Sequence, residues 1–124
     1  MKKILVVEDN YMNMILVRDI LTAHGYDVSA AENGKSALEM VAEEPPDLIL
    51  MDLHLPEMDG TAAMKELKAG EGTKDIPVVA LTASAMRGDE EKILENGFDG
   101  YVPKPVDRQV LIDVLEKKFN ESGR

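Results

Sequence analysis

Short apolar blocks punctuate the chain at residues 4–7, 28–31, 48–51, 78–81 and, more weakly, 101–102. Three of them are continuous rather than alternating, the pattern of strands buried on both faces of a parallel sheet covered by helices. Alternation would point instead to a sheet with one wet face. Between the blocks, apolar residues switch to three- and four-residue spacing. The clearest such stretch sets Leu16, Val17, Ile20 and Leu21 on one face ahead of Gly25, a residue suited to a helix C-terminus. The last one carries Val110, Leu111, Val114, Leu115 and Phe119. Shorter helices are predicted over residues 34–41, 61–67 and 89–95, the third ended by Gly97. Pro45-Pro46 and residues 69–73 read as loops. Strand and helix thus alternate five times, which predicts a doubly wound α/β sheet. No internal repeat, low-complexity tract or linker interrupts the pattern.

Composition narrows the class. A length of 124 residues fits one domain. With 44% hydrophobic and 31% charged residues, the balance is that of a globular chain with a single sizeable core rather than a disordered one. Acidic residues outnumber basic ones 24 to 14, leaving a formal charge of −10. Such a chain does not supply the clustered Lys and Arg that a nucleic-acid groove needs, and anionic lipid surfaces repel it. The absence of cysteine excludes disulfides, thiol catalysis and cysteine-ligated zinc, and His24 and His54 alone are too few for an ordinary histidine metal site. Glu8 and Asp9 come too early for the apolar region of a signal peptide, and no later apolar run approaches a bilayer's thickness. A cytoplasmic location, with neither membrane nor nucleic acid as partner, is the expectation.

Candidate chemistry lies where polar residues follow the predicted strands: Glu8 and Asp9 after the first, Asp52 after the third, Thr82 after the fourth and Lys104 after the weak fifth. The carboxyl ends of parallel strands share one edge, and ligands of open α/β sheets bind in the crevice there. Three carboxylates against one ammonium make an uncomfortable set, because like charges about 4 Å apart repel by roughly 4 kcal/mol at an effective dielectric near 20. A cation is required. Magnesium fits, since it takes one or two carboxylates, keeps several waters and completes its octahedron with phosphate oxygens. A bound nucleotide would need a glycine- or hydroxyl-rich loop after the first strand, whereas Glu8-Asp9-Asn10 presents negative charge. The set is better suited to attack on a phosphoryl group by Asp52. Lys104 and the metal would neutralise charge on the phosphoryl oxygens, and Thr82 would give a hydroxyl hydrogen bond.

These residues and their surroundings resemble the receiver domains of two-component response regulators over essentially the whole chain. The match is carried by Ile-Leu-Val-Val-Glu8-Asp9-Asn10, by Pro46-Asp47-Leu-Ile-Leu-Met-Asp52 with Leu55-Pro56 and Met58-Asp59-Gly60, by Ile76-Pro77-Val-Val-Ala-Leu-Thr82-Ala83, and by Gly100-Tyr101-Val-Pro-Lys104-Pro105. The resemblance implies a flavodoxin-like five-stranded parallel sheet of order 2-1-3-4-5 with helices on both faces. It also implies that Asp52 accepts a phosphoryl group from a histidine kinase or histidine phosphotransfer protein. Asp9, Asp52 and the backbone carbonyl of His54 would ligate magnesium, with Glu8 joining through water. Thr82 and Tyr101 would form the switch that reshapes the face of helix four, strand five and helix five for a downstream protein. The Lys104-Pro105 bond is expected to be cis. Glu8-Asp9-Asn10 followed by Asn13 is similar to receivers at the ends of hybrid kinases and to stand-alone phosphorelay or cell-division regulators. A single domain over residues 1–124 without an output domain is expected, acting as a monomer or a weak phosphorylation-dependent dimer.

Met12, Met14 and Ile15 add apolar surface beyond the stripe of the first helix, and flexible methionines suit adaptable docking. With Asn13 and Pro105 they form the candidate partner contacts. His54 and Ser84, each two residues beyond a site residue, are candidates for tuning phosphoryl lifetime by helping or blocking water. Singly, Asp52 and Thr82 could be helix caps, Lys104-Pro105 a plain turn, Tyr101 a half-buried packing residue, and His24 a dipole partner or surface residue. An aspartate-nucleophile phosphohydrolase is the rival reading. Its pattern carries a second aspartate two residues after the nucleophile, where this chain has His54.

Overall fold

A computed structural model of the chain describes residues 1–55, 58–83 and 89–121. Five strands and five helices alternate in the order β1 (Lys3–Val7), α1 (Tyr11–Ala23), β2 (Asp27–Ala31), α2 (Gly34–Glu43), β3 (Leu48–Asp52), α3 (Gly60–Ala69), β4 (Val78–Thr82), α4 (Asp89–Asn96), β5 (Gly100–Pro103) and α5 (Arg108–Glu121). The strands form one parallel sheet of order β2-β1-β3-β4-β5. That is the topology the resemblance implies.

The continuous apolar blocks take the places their pattern predicts. Every residue of β3 and β4 is buried, as are Ile4, Leu5, Val6 and Val7 of β1. Alternate residues of these strands feed two cores. Leu5, Val7, Ile49, Met51, Val78 and Ala80 join the layer of α2, α3 and α4. Ile4, Val6, Leu48, Leu50, Val79 and Leu81 join the layer of α1 and α5. The edge strand β2, whose block includes Ser29, is mostly exposed.

Side-chain caps start the helices where the chain leaves the sheet. Asn10 Oδ1 accepts from the Asn13 N–H at 3.0 Å, Asn33 Oδ1 from Ser36 at 2.8 Å, and Asp59 Oδ1 from Ala62 at 2.8 Å. Gly25 and Gly97 sit at φ of +92° and +121° just past α1 and α4, the left-handed conformation that glycine allows at a helix end. No helix of the described residues is long and apolar enough to cross a membrane.

Two helical stripes differ from the sequence reading. On α1 the buried residues are Met14, Val17, Ile20 and Leu21, whereas Leu16 is 43% exposed. At about 100° per residue, Leu16 falls roughly 40° beyond Ile20, outside the buried arc and over Met12. Met14 therefore belongs to the core and not to the exposed face expected to contact a partner, where Leu16 stands instead. On α5 the stripe is Leu111, Ile112, Leu115 and Phe119, with Val110 39% exposed and Val114 only partly covered.

Candidate functional site

Strand register assembles the site. Val7 pairs with Met51, so Glu8 follows level with Asp52. Asp52 pairs with Leu81, which puts Thr82 one residue further along the next strand. Thr82 pairs with Pro103, and the Lys104 N–H donates to the Thr82 carbonyl at 2.8 Å. The stepped register thus brings residues separated by up to 96 positions to one sheet edge, the carboxyl edge.

Lys104 lies at the centre. Its Nζ donates to Glu8 Oε1 at 2.8 Å and to Asp52 Oδ2 at 2.9 Å. The other Asp52 oxygen, Oδ1, accepts from the His54 backbone N–H at 3.0 Å, and Glu8 Oε2 accepts from the Asp9 N–H at 3.1 Å. Glu8, Asp52 and Thr82 are buried, while Asp9 is exposed at the rim. One carboxylate oxygen from each of Glu8, Asp9 and Asp52 lies within 4.8 Å of the others, and no other described acidic group completes such a set. Hard oxygen donors at that spacing suit a small divalent cation.

The electrostatics follow from burial and surplus negative charge. Burial, together with a hydrogen bond to Asp52, pushes the Glu8 carboxyl up to about 7, against the pull of Lys104. Burial also pushes Asp52 upward, but hydrogen bonds from Glu8, the His54 N–H and Lys104 outweigh it, so Asp52 is held below its ordinary value and stays ionised. For Lys104, burial is outweighed by Glu8 and Asp52, which hold it firmly charged. Of the two carboxyls that share the ammonium, Glu8 is thus the one that holds a proton more readily. Each carboxylate oxygen has two lone pairs, so Asp52 keeps acceptor positions beyond those used by Lys104 and His54.

Gly60 fixes the backbone beside Asp52. A Cβ at this position would fall onto the Asp52 carbonyl and lie 3.0 Å from Leu53 Cα, while the Gly60 N–H donates to the Leu53 carbonyl at 3.1 Å. Only glycine admits that approach.

The other candidate residues are spread around this centre. The His54 side chain is exposed. Tyr101 is half-buried against the α2–α3–α4 core, and its hydrogen bond to Glu90 of α4, with burial, pushes the phenol up. Met12 is 72% exposed and Pro105 also faces solvent, whereas Asn13 and Ile15 are half-buried. The Lys104-Pro105 bond is cis. Ser84 lies outside the described residues. His24 caps the far end of α1, stacks on Tyr26 and approaches Glu116 at 3.7 Å.

Sequence reasoning missed three features. The His54 N–H holding Asp52 is a backbone bond with no signature in residue type. Tyr11, 74% exposed, and Leu16 extend the apolar surface beside Met12; the run of apolar residues through α1 was the available signal. A second lysine–carboxylate pair, Lys68 and Asp99, ties the opposite sheet edge together.

Comparison with known proteins agrees with this geometry. Residues 4–116 match the response regulator receiver domain model. The polar-differentiation response regulator DivK of Brucella anthropi is 41% identical over 121 residues, which is 98% of each chain. The receiver domain of a sensor histidine kinase from Pseudomonas aeruginosa, crystallised with magnesium coordinated in its active-site cleft, is 37% identical with a TM-score of 0.86, over 94% of this chain and 95% of that one. The chemotaxis response regulator CheY4 of Vibrio cholerae superposes with a TM-score of 0.88 at 26% identity, over 94% and 98%. The chain belongs to the response regulator receiver domain family, the phosphoacceptor modules of two-component signalling.

Proposed function

We infer that Asp52 is the phosphoacceptor. The observation that carries this reading is the Lys104 ammonium bridging Asp52 and Glu8 at a sheet edge where a third carboxylate, Asp9, stands close enough to share a cation. An Asp52 oxygen attacks phosphorus as the bond to the donor breaks, from imidazole nitrogen in a phosphohistidine or from acyl oxygen in acetyl phosphate. The His54 N–H orients the carboxylate, and Lys104 follows the developing negative charge on the phosphoryl oxygens. Thr82, buried at the end of β4, supplies a hydroxyl on the same side. Asp9, Asp52 and the His54 carbonyl would hold magnesium, with Glu8 joining through water, and the bound ion would neutralise charge on the phosphoryl oxygens. The chain catalyses its own phosphorylation and the hydrolysis that reverses it, with His54 and Ser84 setting water access. The exposed apolar residues of α1, Met12 and Leu16 with Ile15 beside them, support docking of a histidine kinase or phosphotransfer protein there, with Asn13 and Pro105 at its margin. Output runs through α4, β5 and α5, where Tyr101, Leu94 and Val110 line a groove of about 420 Å³. These exchanges take place in the cytoplasm.

The test is incubation with magnesium and acetyl phosphate, followed by intact mass spectrometry of wild type and Asp52→Ala. A phosphoryl-sized gain in wild type alone is expected. An equal gain in Asp52→Ala would reassign the acceptor, and no gain in wild type would leave a receiver that signals without phosphorylation.

A further inference from the structure

The two edges of the sheet are finished differently. β5 includes Pro103, which has no N–H to offer, and a Cβ at Gly100 would lie 3.2 Å from Lys118 Cε, so a lysine stem covers that strand. Proline and lysine are ordinary devices for closing an edge. β2 has neither, and its five residues pair with β1 in unbroken register, without a bulge. The Asp27 N–H donates to the Lys2 carbonyl, and the Ala31 carbonyl accepts from Glu8, so Asp27, Ser29 and Ala31 turn their backbone groups toward β1. Val28 and Ala30 consequently point theirs outward. Among the described residues no hydrogen bond reaches these outward groups.

Beside this edge, between β2 and α2, runs a groove of two adjoining parts of about 420 and 450 Å³ that share Met40 and Glu43. Leu5, Ala31 and Met40 give it an apolar floor. Its rim carries Asp27, Glu32, Glu39, Glu43 and Glu44, all exposed. The one cation among the lining residues, Lys3, is already held by Glu44. Among the described residues no three of these carboxylates gather as Glu8, Asp9 and Asp52 do. Their complement is a row of separated positive charges. An added strand repeats its side chains on one face every second residue, about 6.6 Å apart, and so presents such a row to α2 while its backbone meets Val28 and Ala30.

We propose that the open edge of β2 and the carboxylate-lined groove beside it dock an extended, lysine- or arginine-rich segment of a partner protein, added to the sheet as a further strand. The occupant is identified by two independent features: unpaired strand hydrogen bonds, which select extended backbone, and an excess of carboxylates over the single Lys3 on the groove side, which selects basic side chains. The site makes no use of Asp52 and stands whether or not that residue is phosphorylated.

The experiment is fluorescence anisotropy of the whole chain with a fluorescein-labelled octapeptide of alternating Lys and Thr, at low salt. Two further peptides of the same sequence are N-methylated at alternate residues, one in each phase, which blocks strand pairing and preserves charge. Binding of the unmethylated peptide is expected to exceed that of both methylated forms by about tenfold or more. Glu39→Gln combined with Glu43→Gln is expected to weaken it about fivefold, whereas Glu91→Gln combined with Glu95→Gln on α4 leaves it within about twofold. Ala30→Pro, which removes one outward N–H, should weaken binding as N-methylation does. Since the methylation arm alters only the peptide, it remains decisive if Ala30→Pro does not fold. Equal binding of methylated and unmethylated peptides, equal losses from the α2 and α4 variants, or no binding to wild type would each overturn the proposal.

Discussion

Two lysines tie carboxylates together at opposite edges of the same sheet, and only one of them marks the chemistry. At the amino edge, Lys68 in the last turn of α3 donates to Asp99 Oδ2 at 2.7 Å and to the Ile76 carbonyl at 3.0 Å, while Asp99 Oδ2 also accepts from the Val78 N–H at 2.8 Å. One ammonium meets one carboxylate, and α3, the start of β4 and the approach to β5 are joined. At the carboxyl edge, Lys104 meets Glu8 and Asp52 with Asp9 beside them. Charge there is left unbalanced, with three carboxyl groups around one ammonium. A balanced pair has nothing further to attract. The surplus of negative charge around Lys104 leaves a site that could take a cation.

The largest expected effect separates the two lysines by function. Lys104→Met removes the ammonium that follows charge onto the phosphoryl oxygens, and labelling by acetyl phosphate should slow by about 100-fold or more, the scale of losing a preorganised charge-stabilising group. Lys68→Met should label within about twofold of wild type once folded. Time courses by intact mass compare them directly, and equal slowing would erase the distinction between the edges.

The unbalanced cluster should also reveal itself in stability. Glu8 is raised from 4.5 to about 7 in the folded chain, so between those values the folded state holds a proton that the unfolded state has released. Its contribution is fully present below about 4.5 and disappears as pH rises through about 7. The metal-free protein is therefore expected to lose roughly 3 kcal/mol between pH 4.5 and pH 8 from this group. Asp52 shifts downward, so the stability it contributes is already complete above its ordinary value and adds no slope in that window. Urea unfolding in EDTA at several pH values measures the slope, and saturating magnesium should flatten it. A flat metal-free profile would mean that Glu8 ionises as an ordinary carboxyl.

How far this contrast could be read in the sequence depends on what each residue has beside it. Glu8, Asp9, Asp52, Thr82 and Lys104 each follow an apolar block, and a parallel sheet brings such positions to one edge whatever the details of packing. Lys68 and Asp99 lie 31 positions apart, one inside a helix and one in a loop, with no repeating pattern to join them. The helical stripes were legible only in part. Met12, Met14, Ile15, Leu16 and Val17 are apolar nearly all round α1, so spacing alone does not say which arc meets the sheet. Met14 and Leu16 exchanged places for that reason. β2 was legible as a strand from its own residues, but its place at the edge came only with the family resemblance, because edge position is a property of topology rather than of the five residues themselves.

The balanced pair should show its worth in folding alone. Asp99→Ala leaves the Val78 N–H and the Lys68 ammonium without their shared acceptor. Both side chains of the pair are partly exposed, which tempers the loss, and about 2 kcal/mol is expected from urea unfolding. Labelling of Asp52 should persist within about twofold. A double-mutant cycle with Lys68→Met isolates the coupling, and a coupling near zero would mean that the backbone bond to Val78 carries the whole effect.

The smallest expected effect is the most pointed, because it sets stability against function at one residue. Asp9 stands exposed beside two buried carboxyls, with its oxygen within 4.8 Å of theirs. In the metal-free protein Asp9→Lys replaces a repulsion by an attraction at a solvated position, which should stabilise the fold by about 1 kcal/mol. The same change removes a cation ligand and places a positive charge where the cation would sit, so magnesium should no longer raise the melting temperature and acetyl phosphate should no longer label Asp52. The opposite substitution at the balanced edge, Lys68→Asp, is expected only to destabilise. Melting in EDTA separates the two edges. If Asp9→Lys melts at or below wild type, the surplus charge at the carboxyl edge is already relieved by the Glu8 proton and Lys104, and the site does not depend on a cation to relieve it.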